Sequence, residues 1–227
     1  MRSSSSFRQL GLSFCLSATM LVAGSFVNGV SCYAEGEVDE SKEPPLVHVV
    51  KIDDQEVTVG QGESVPVEGT FTNPKVSVHA AESRVFPYRG MSFRYPQNYA
   101  FEADVADPNV GIWTLTGTDT TIMIFAFSEK VTSESYARDM LGEFGEANAK
   151  ITEEKTNVQF GDQKLTGATL QAVIAGQKLE MSIHDVPTAG KGTTLLVIQD
   201  LLNDQGNRSA EGTATIKMMQ ESFEVKK

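Results

Sequence analysis

The stretch "TTIMIFAF", Thr120–Phe127, decides the fold that we expect for this chain. Apolar side chains occupy both alternating positions along it, whereas a strand with one face in water alternates apolar with polar residues. Its short length and its isoleucine and phenylalanine content are typical of a strand rather than a helix. The stretch therefore predicts an interior strand of a sheet, covered on both faces.

The residues on either side of this stretch predict further strands and two helices. Alternating patterns predict strands near residues 91–95, 101–105, 112–117, 121–128, 150–160, 164–175, 178–185 and 193–200. Thr132 and Ser209 are candidate N-caps of two helices with apolar stripes, and Gly145 can end the first. Antiparallel strands, with helices at the middle and the end, predict an α+β fold.

The first 34 residues are typical of a secretory signal peptide. Arg2 and Arg8 form a positively charged start, and the run Leu10–Gly24 is uncharged and mostly apolar. Cys32 and Ala34 supply the small residues of a cleavage site, so we expect cleavage after Ala34 and export of the mature chain. Two alternatives stay open at this point: an uncleaved membrane anchor, and lipidation of Cys32 after cleavage just before it.

Cysteine content and charge narrow the classes of function. Both cysteines, Cys15 and Cys32, leave with the signal peptide, so the mature chain has no disulfide and no cysteine metal ligand. The formal net charge is −11, and removal of Arg2 and Arg8 with the signal makes it −13. Such a surface repels nucleic-acid phosphates and anionic lipids. We expect no nucleic-acid partner, and membrane association only if Cys32 is lipidated or the signal is retained.

Composition divides the rest of the chain into three parts. Residues 35–45, "EGEVDESKEPP", are rich in acids and proline and predict a flexible acidic linker. Residues 46–81 hold short Val-rich runs between turn signals, and they predict a β arm that either adds to the following domain or lies loosely beside it. Aromatic and long aliphatic residues become frequent after that, so residues 82–227 are expected to form one α+β domain.

Short motifs within residues 86–225 resemble the PsbP-like group, which includes the PsbP proteins of photosynthetic membranes, the bacterial DcrB envelope proteins and the Ran-binding Mog proteins. The motifs are the strand "GMSFRYP", Gly90–Pro96, the helix "SESYARDMLGEF" and the terminal "ESFEV". The chain departs from the group at residues 97–99, "QNY", where a Trp often follows the proline. The resemblance implies an antiparallel sheet sandwiched between helices and a non-enzymatic accessory or binding role. No functional residue is carried over from it.

His184 is the histidine whose surroundings best suit a functional site. In "KLEMSIHD" the two-residue period of a strand places Glu180, Ser182 and His184 on one face and Asp185 on the other. The pattern predicts that this polar face lies in solvent. Glu180 and His184 are about 13 Å apart along a strand, too far to share a metal ion without a third ligand. Since no G-x-S-x-G motif is present either, we expect no catalytic residue, no metal and no cofactor.

The stretch "FEADVADPNVG", Phe101–Gly111, predicts a surface for a partner. It carries Glu102 and Asp104 on a strand and Asp107 in a turn, shortly before Trp113, the only tryptophan of the chain. An acidic loop beside an aromatic residue suits a cationic partner, either an envelope protein or a small cationic ligand. The alternative interpretations are an ordinary solvated turn and a tryptophan packed in the core.

Together these patterns favour an exported, non-enzymatic binding or accessory protein of the bacterial envelope, in the periplasm or outside the cell. The alternative is an exported metal-dependent or hydrolytic enzyme that uses His184 with nearby acids. The first hypothesis rests on the missing nucleophile motif and on the resemblance, and the second rests on Glu180 and Asp185 beside the histidine.

Overall fold

The computed structural model describes residues 39–187 and 192–226. The predicted signal peptide, with Cys32 and Ala34, and the first residues of the predicted linker lie outside the described residues. The strands are β1 (Val47–Ile52), β2 (Gln55–Gly60), β3 (Val76–Ala80), β4 (Ser83–Phe86), β5 (Met91–Pro96), β6 (Ala100–Asp104), β7 (Val110–Thr116), β8 (Thr120–Phe127), β9 (Ala149–Phe160), β10 (Gln163–Ile174), β11 (Gln177–Val186), β12 (Thr193–Leu201) and β13 (Glu224–Val225). The helices are α1 (Ser133–Phe144) and α2 (Ala210–Ser222). Within the described ranges, no helix has the length and apolar composition needed to cross a membrane.

Seven strands form the central antiparallel sheet, in the order β6-β7-β8-β12-β11-β10-β9. The stretch "TTIMIFAF" is β8, which pairs with β7 on one side and β12 on the other. Its prediction as an interior strand is therefore confirmed. The long hairpin β10–β11 turns through Ala175 and Gly176, whose φ angles are 50° and 83°. Positive φ at both turn residues matches the right-handed twist of the two strands.

One face of the central sheet is covered by α2 together with a second sheet of three strands, β13-β5-β4. The core on this face is aromatic: the rings of Phe86 and Phe93 stack with centroids 5.0 Å apart, and Phe160 meets Phe223 edge to face at 5.6 Å. Met219 of α2 is completely buried in the same cluster. The chain after α2 thus returns to β5 as a short strand, and does not end as a helix.

The opposite face is covered by α1, which packs across β9, β10 and β11. The helix begins after Thr132, whose hydroxyl accepts a hydrogen bond from the backbone N of Ser135 at 3.1 Å. Asp185 of β11 fixes the same end, because its carboxylate accepts from the backbone N and the hydroxyl of Ser133 at 2.8 and 2.7 Å. The predicted N-caps Thr132 and Ser209 are both confirmed.

The expected α+β fold, an antiparallel sheet sandwiched between helices, is wrong. The described residues contain thirteen strands and two helices, and the fold is mostly antiparallel β-sheet. On the face that carries α2, the three-stranded sheet with β5 covers area that helices alone would cover in the expected sandwich. The physical reason is the alternation in β5, which buries Met91, Phe93 and Tyr95 against the central sheet and turns Arg94 to solvent.

The prediction that both faces of β8 are covered holds on one face only. Ile122 and Ile124 are fully buried beneath the aromatic core. On the α1 side, however, Met123, Phe125 and Phe127 are only half-buried. An apolar strip of the central sheet therefore stays partly open to solvent.

Residues 47–80 form a separate three-stranded sheet in the order β2-β1-β3. None of its strand residues is buried, and Val76 and Val78 are 58% and 59% exposed. A hydrogen bond from the backbone N of Val47 to Oε1 of Gln97, 3.2 Å long, joins this sheet to the residue after β5. The valines of the predicted β arm thus build no core of their own.

Residues 39–45, termed the N-terminal segment, are the described part of the predicted linker. They pack against β4 and β7, and Pro44 is buried. Nε1 of Trp113 donates to the carbonyl of Glu40 at 2.7 Å. The guanidinium of Arg84 donates to the Glu43 carboxylate at 2.6 Å. This acidic segment therefore forms specific contacts with the domain that follows it in sequence.

Candidate functional site

Strands β6, β7 and β8 together present a surface of mixed acidic and apolar character, termed the β6–β8 surface. It consists of Glu102, Asp104, Ile112, Thr114, Met123 and Phe125. The strand register arranges these residues in two rows, each running from an acid on β6 to an apolar residue on β8. Residues directly opposite each other in neighbouring strands point to the same face. The acids and the apolar side chains therefore form one continuous patch.

The β6–β8 surface is open because α1 lies over the other half of the sheet. The helix packs on β9, β10 and β11, and it meets β8 through Tyr136, whose ring centroid is 5.3 Å from that of Phe125. Glu102 and Asp104 are exposed, and neither forms an ion pair with another described residue. The patch thus combines unneutralised negative charge with half-buried apolar side chains.

Asp107, the third predicted acid, lies apart from this patch in the exposed turn after β6. Its carboxylate accepts from the backbone N of Asn109 at 2.8 Å, which is the hydrogen bond of an Asx turn. Asp107, Arg89 and Trp113 contribute to the walls of a separate cavity of about 360 Å³. The role of Asp107 that the structure shows is to shape the turn between β6 and β7.

Trp113 belongs to the core and not to the exposed surface. It is 1% exposed and points to the face of the sheet opposite Glu102 and Asp104. Gly111 leaves room for it, because a Cβ at that position would lie 2.9 Å from the Trp113 ring. The predicted combination of acidic loop and aromatic surface is therefore divided between the two faces of the sheet.

His184 lies beneath α2, together with the polar residues predicted to share its face. Ser182 and His184 are only 5% and 3% exposed, so the expectation that this polar face lies in solvent is wrong. Arg208, just before α2, covers the row: its Nε donates to Glu180 at 2.9 Å and its Nη2 donates to the Ser182 hydroxyl at 2.7 Å. Arg208, which is distant from this strand in sequence, thus helps to bury its polar face by pairing with Glu180 and Ser182.

Residues of this part of the sheet and of α2 line a cavity of about 390 Å³, which we term the α2 cavity. Its walls include Thr156, Thr169, Ser182, His184, Arg208 and Ile216. Burial, together with the nearby positive charge of Arg208, lowers the pKa of His184 to about 4. The imidazole in the cavity is therefore uncharged at neutral pH.

Among the described residues, the side chains predicted to act together with His184 have other partners. The Ser182 hydroxyl is bound by Arg208, and Asp185 points to the other face, where it caps α1. Among the described residues, no three His, Cys, Asp or Glu side chains lie close enough together to hold a metal ion. The acids proposed as partners of His184, Glu180 and Asp185, thus serve Arg208 and the helix cap.

Sequence reasoning missed Thr156, Gly167 and Arg208 at this site. Gly167 lies on β10 directly between Thr156 of β9 and His184 of β11. A Cβ on Gly167 would lie 2.3 Å from the carbonyl oxygen of Ile183 and 2.6 Å from Nδ1 of His184. A glycine inside a strand often marks such a close approach, so it is the signal that could have indicated the site.

Comparisons with known proteins give no family for this chain. No protein-family model matches it, and a search of curated proteins finds no match. A solved structure of a protein from Bacteroides thetaiotaomicron is similar at 14% sequence identity and a TM-score of 0.38. The match covers 65% of this chain and 50% of that one, so it spans half of the other protein. At this TM-score it carries no argument about fold or function, and the resemblance to the PsbP-like group stays a prediction.

Proposed function

We propose that this protein is an exported binding or accessory protein of the cell envelope without catalytic activity. Its partner is another envelope protein that offers a positively charged, amphipathic segment to the β6–β8 surface. The observation that carries the proposal is the half-open apolar strip on an interior strand of the central sheet, bordered by two unpaired acids.

The apolar part of the surface supplies affinity. Ile112, Met123 and Phe125 remain half-buried in the part of the sheet that α1 leaves open. Full burial of such a side chain contributes about 1.5–3 kcal/mol, so covering the exposed part, at most about a third, contributes up to about 0.5–1 kcal/mol each. A partner that covers all three therefore gains a modest free energy of binding, as expected for a reversible accessory contact.

The acidic part of the surface supplies orientation and choice of partner. Glu102 and Asp104 project from the edge strand β6 on the same face as the apolar strip. The net charge of the mature chain, −13 once Arg2 and Arg8 leave with the signal, adds a long-range attraction for cations. Charges at the rim of an interface mainly raise the association rate and exclude wrong partners. A segment with lysine or arginine on one side and apolar residues on the other fits this pattern.

The surroundings of His184 support a binding role over the enzymatic alternative. A hydrolase needs a nucleophile within hydrogen-bond reach of its base, and the Ser182 hydroxyl is engaged by Arg208 instead. A general base also needs a pKa near the working pH, whereas burial lowers that of His184 to about 4. The enzymatic alternative therefore finds support neither for its nucleophile nor for its general base.

Export is part of the proposal and has a direct test. N-terminal sequencing of the protein from cells that produce it naturally is expected to find a mature chain that starts at Glu35. A start at Cys32 with an attached lipid would instead identify the mature protein as a lipoprotein. An intact N-terminus in the cytoplasmic fraction would refute export.

Site-specific photo-cross-linking in the native host tests the binding role. A photoreactive phenylalanine analogue replaces Met123 in the patch, and in a second variant it replaces the exposed Val76 of β3. We expect Met123 to give a defined cross-linked partner that the Val76 variant does not give. Mass spectrometry of the adduct should place the link in a segment with basic and apolar residues.

Charge reversal provides the matched control. The double variant Glu102→Lys and Asp104→Lys should reduce the cross-link from position 123 at least about tenfold, as loss of complementary charge at a rim and new repulsion predict. Glu129→Lys with Glu146→Lys makes the same change in net charge at exposed positions outside the patch and should leave it unchanged. If both pairs have equal effects, the surface does not select its partner by charge and the proposal fails.

A further inference from the structure

Two buried polar atoms beside the α2 cavity have no hydrogen-bond partner among the described residues. They are Oγ1 of Thr156 and Nδ1 of His184, and both side chains line the cavity. Leaving a buried polar group unpaired is costly, and native structures rarely do so without an occupant such as water or a ligand. These two atoms therefore indicate a missing hydrogen-bond partner in this region.

The backbone places these two side chains on either side of a glycine. Thr156, Gly167 and His184 lie opposite one another on β9, β10 and β11 and so form one row across the sheet. The middle position has no side chain, and a Cβ there would collide with the imidazole. Both polar atoms are shielded in this conformation, so an occupant reaches them only when the side chains of Thr156 and His184 rotate.

The charges around the cavity disfavour an ionic occupant. Arg208 is already paired with Glu180 at 2.7 Å, and Lys217 is paired with Glu221 at 3.9 Å. Glu153, at an exposed position in the wall, repels anions. The uncharged imidazole gives an anion no charge to pair with, and among the described residues no three His, Cys, Asp or Glu side chains lie close enough together to hold a metal ion. An uncharged molecule is the occupant that these residues suit best.

The size and lining of the cavity narrow the occupant further. Its volume of about 390 Å³ is within the range of small-molecule sites, about 300–1,000 Å³. Hydroxyl-bearing side chains alternate in its walls with apolar ones such as Val158 and Ile198. A hydroxyl group both donates and accepts, so it can satisfy the imidazole in either tautomer as well as the threonine.

We propose that the α2 cavity binds a small uncharged polyhydroxylated molecule, of the size of a monosaccharide, whose hydroxyl groups hydrogen-bond to His184 and Thr156. This site lies on the face of the sheet opposite the β6–β8 surface, so it is independent of the proposed protein partner. The occupant would contact side chains of β9 and β11 and the inner side of α2.

Titration of the full-length mature protein with D-glucose, D-galactose, N-acetylglucosamine and glycerol at millimolar concentration tests this site. The readout is the imidazole NMR signal of His184, with His48 and His79 as internal controls in the same spectrum. We expect at least one of these compounds to shift the His184 signal in a saturable way and to leave the other two unchanged. If none does so, or if acetate or phosphate binds instead, the proposal is refuted.

The isosteric variant Thr156→Val separates a ligand site from a merely structural role. It removes the unpaired hydroxyl, so the free protein should become slightly more resistant to urea while binding weakens about tenfold. Thr152→Val is the matched control, since that exposed hydroxyl on the same strand donates to the Thr169 carbonyl at 3.3 Å and does not line the cavity. Unchanged binding in Thr156→Val, or equal losses in both variants, would overturn the assignment.

Discussion

Substitution of Arg84 by Met is expected to release the N-terminal segment and to destabilise the protein. Arg84 is 3% exposed, and its guanidinium donates to the carboxylate of Glu43 at 2.6 Å. It also donates to the carbonyls of Pro44 and Tyr99 at 3.3 and 2.9 Å and lies 5.5 Å from the centre of the Tyr95 ring. One buried cation thus joins the N-terminal segment to both β4 and the residue before β6.

The expected loss follows from these contacts. A hydrogen bond to a charged group contributes about 1.5–3 kcal/mol, and the two carbonyls lose such a donor. Two effects reduce the sum: Glu43 is about half exposed and regains water, and Nε of Arg84, which has no partner among the described residues, is removed. We expect the free energy of unfolding to fall by about 2–4 kcal/mol, which lowers Tm by roughly 10 °C for a chain of this size.

Equilibrium urea unfolding, followed by circular dichroism and by tryptophan fluorescence, measures this loss. Trp113 is the only tryptophan and is hydrogen-bonded to Glu40, so its emission reports the state of the N-terminal segment directly. We expect Arg84→Met to shift the native emission to longer wavelength before global unfolding begins. The wild-type chain should show one transition by both probes.

Two control variants make this prediction refutable. Arg94→Met is the same substitution at an exposed position of β5 and should change the free energy of unfolding by less than about 0.5 kcal/mol. Glu43→Ala leaves the buried guanidinium without its carboxylate, so the losses from Glu43→Ala and Arg84→Met should not add in the double variant. Equal effects of Arg84→Met and Arg94→Met, or full additivity, would contradict the role of the buried ion pair.

Two further predictions concern buried titratable groups. Burial lowers the pKa of His184 to about 4, so the native imidazole stays neutral while that of the unfolded chain takes up a proton below about pH 6.5. The contribution of His184 to the free energy of unfolding is therefore fully present above pH 6.5 and is lost as the pH falls toward 4. An imidazole NMR titration with a midpoint near 6.5 would contradict this. The Tyr95 hydroxyl is buried without a partner among the described residues, so Tyr95→Phe should raise the free energy of unfolding by about 1 kcal/mol in urea titrations at neutral pH. A loss of stability would indicate that the hydroxyl is hydrogen-bonded in solution.

Local chemistry made several elements of the fold predictable from the sequence. The run "TTIMIFAF" coincides with β8, because apolar side chains at both alternating positions are compatible with an interior strand. Thr132 and Ser209 cap their helices through backbone N–H groups only three residues away, so their role depends on nothing distant in sequence. Glu102 and Asp104 are exposed on one face of β6 because side chains alternate along a strand, which is also a local property of the sequence.

The candidate sites depended on contacts between residues far apart in the chain. The packing of other elements decides whether a strand face is covered by a helix, by a second sheet or by nothing. The sequence could therefore indicate neither the half-open strip beside α1 nor the sheet that contains β5. His184 has the alternation of a solvent-facing strand, yet it is buried because α2, more than twenty residues later, lies over it. Trp113 finds its partner in Glu40, 73 residues earlier. Periodicity reports the direction of a side chain from its own backbone, whereas burial and hydrogen bonding depend on which distant element fills the space that the side chain faces.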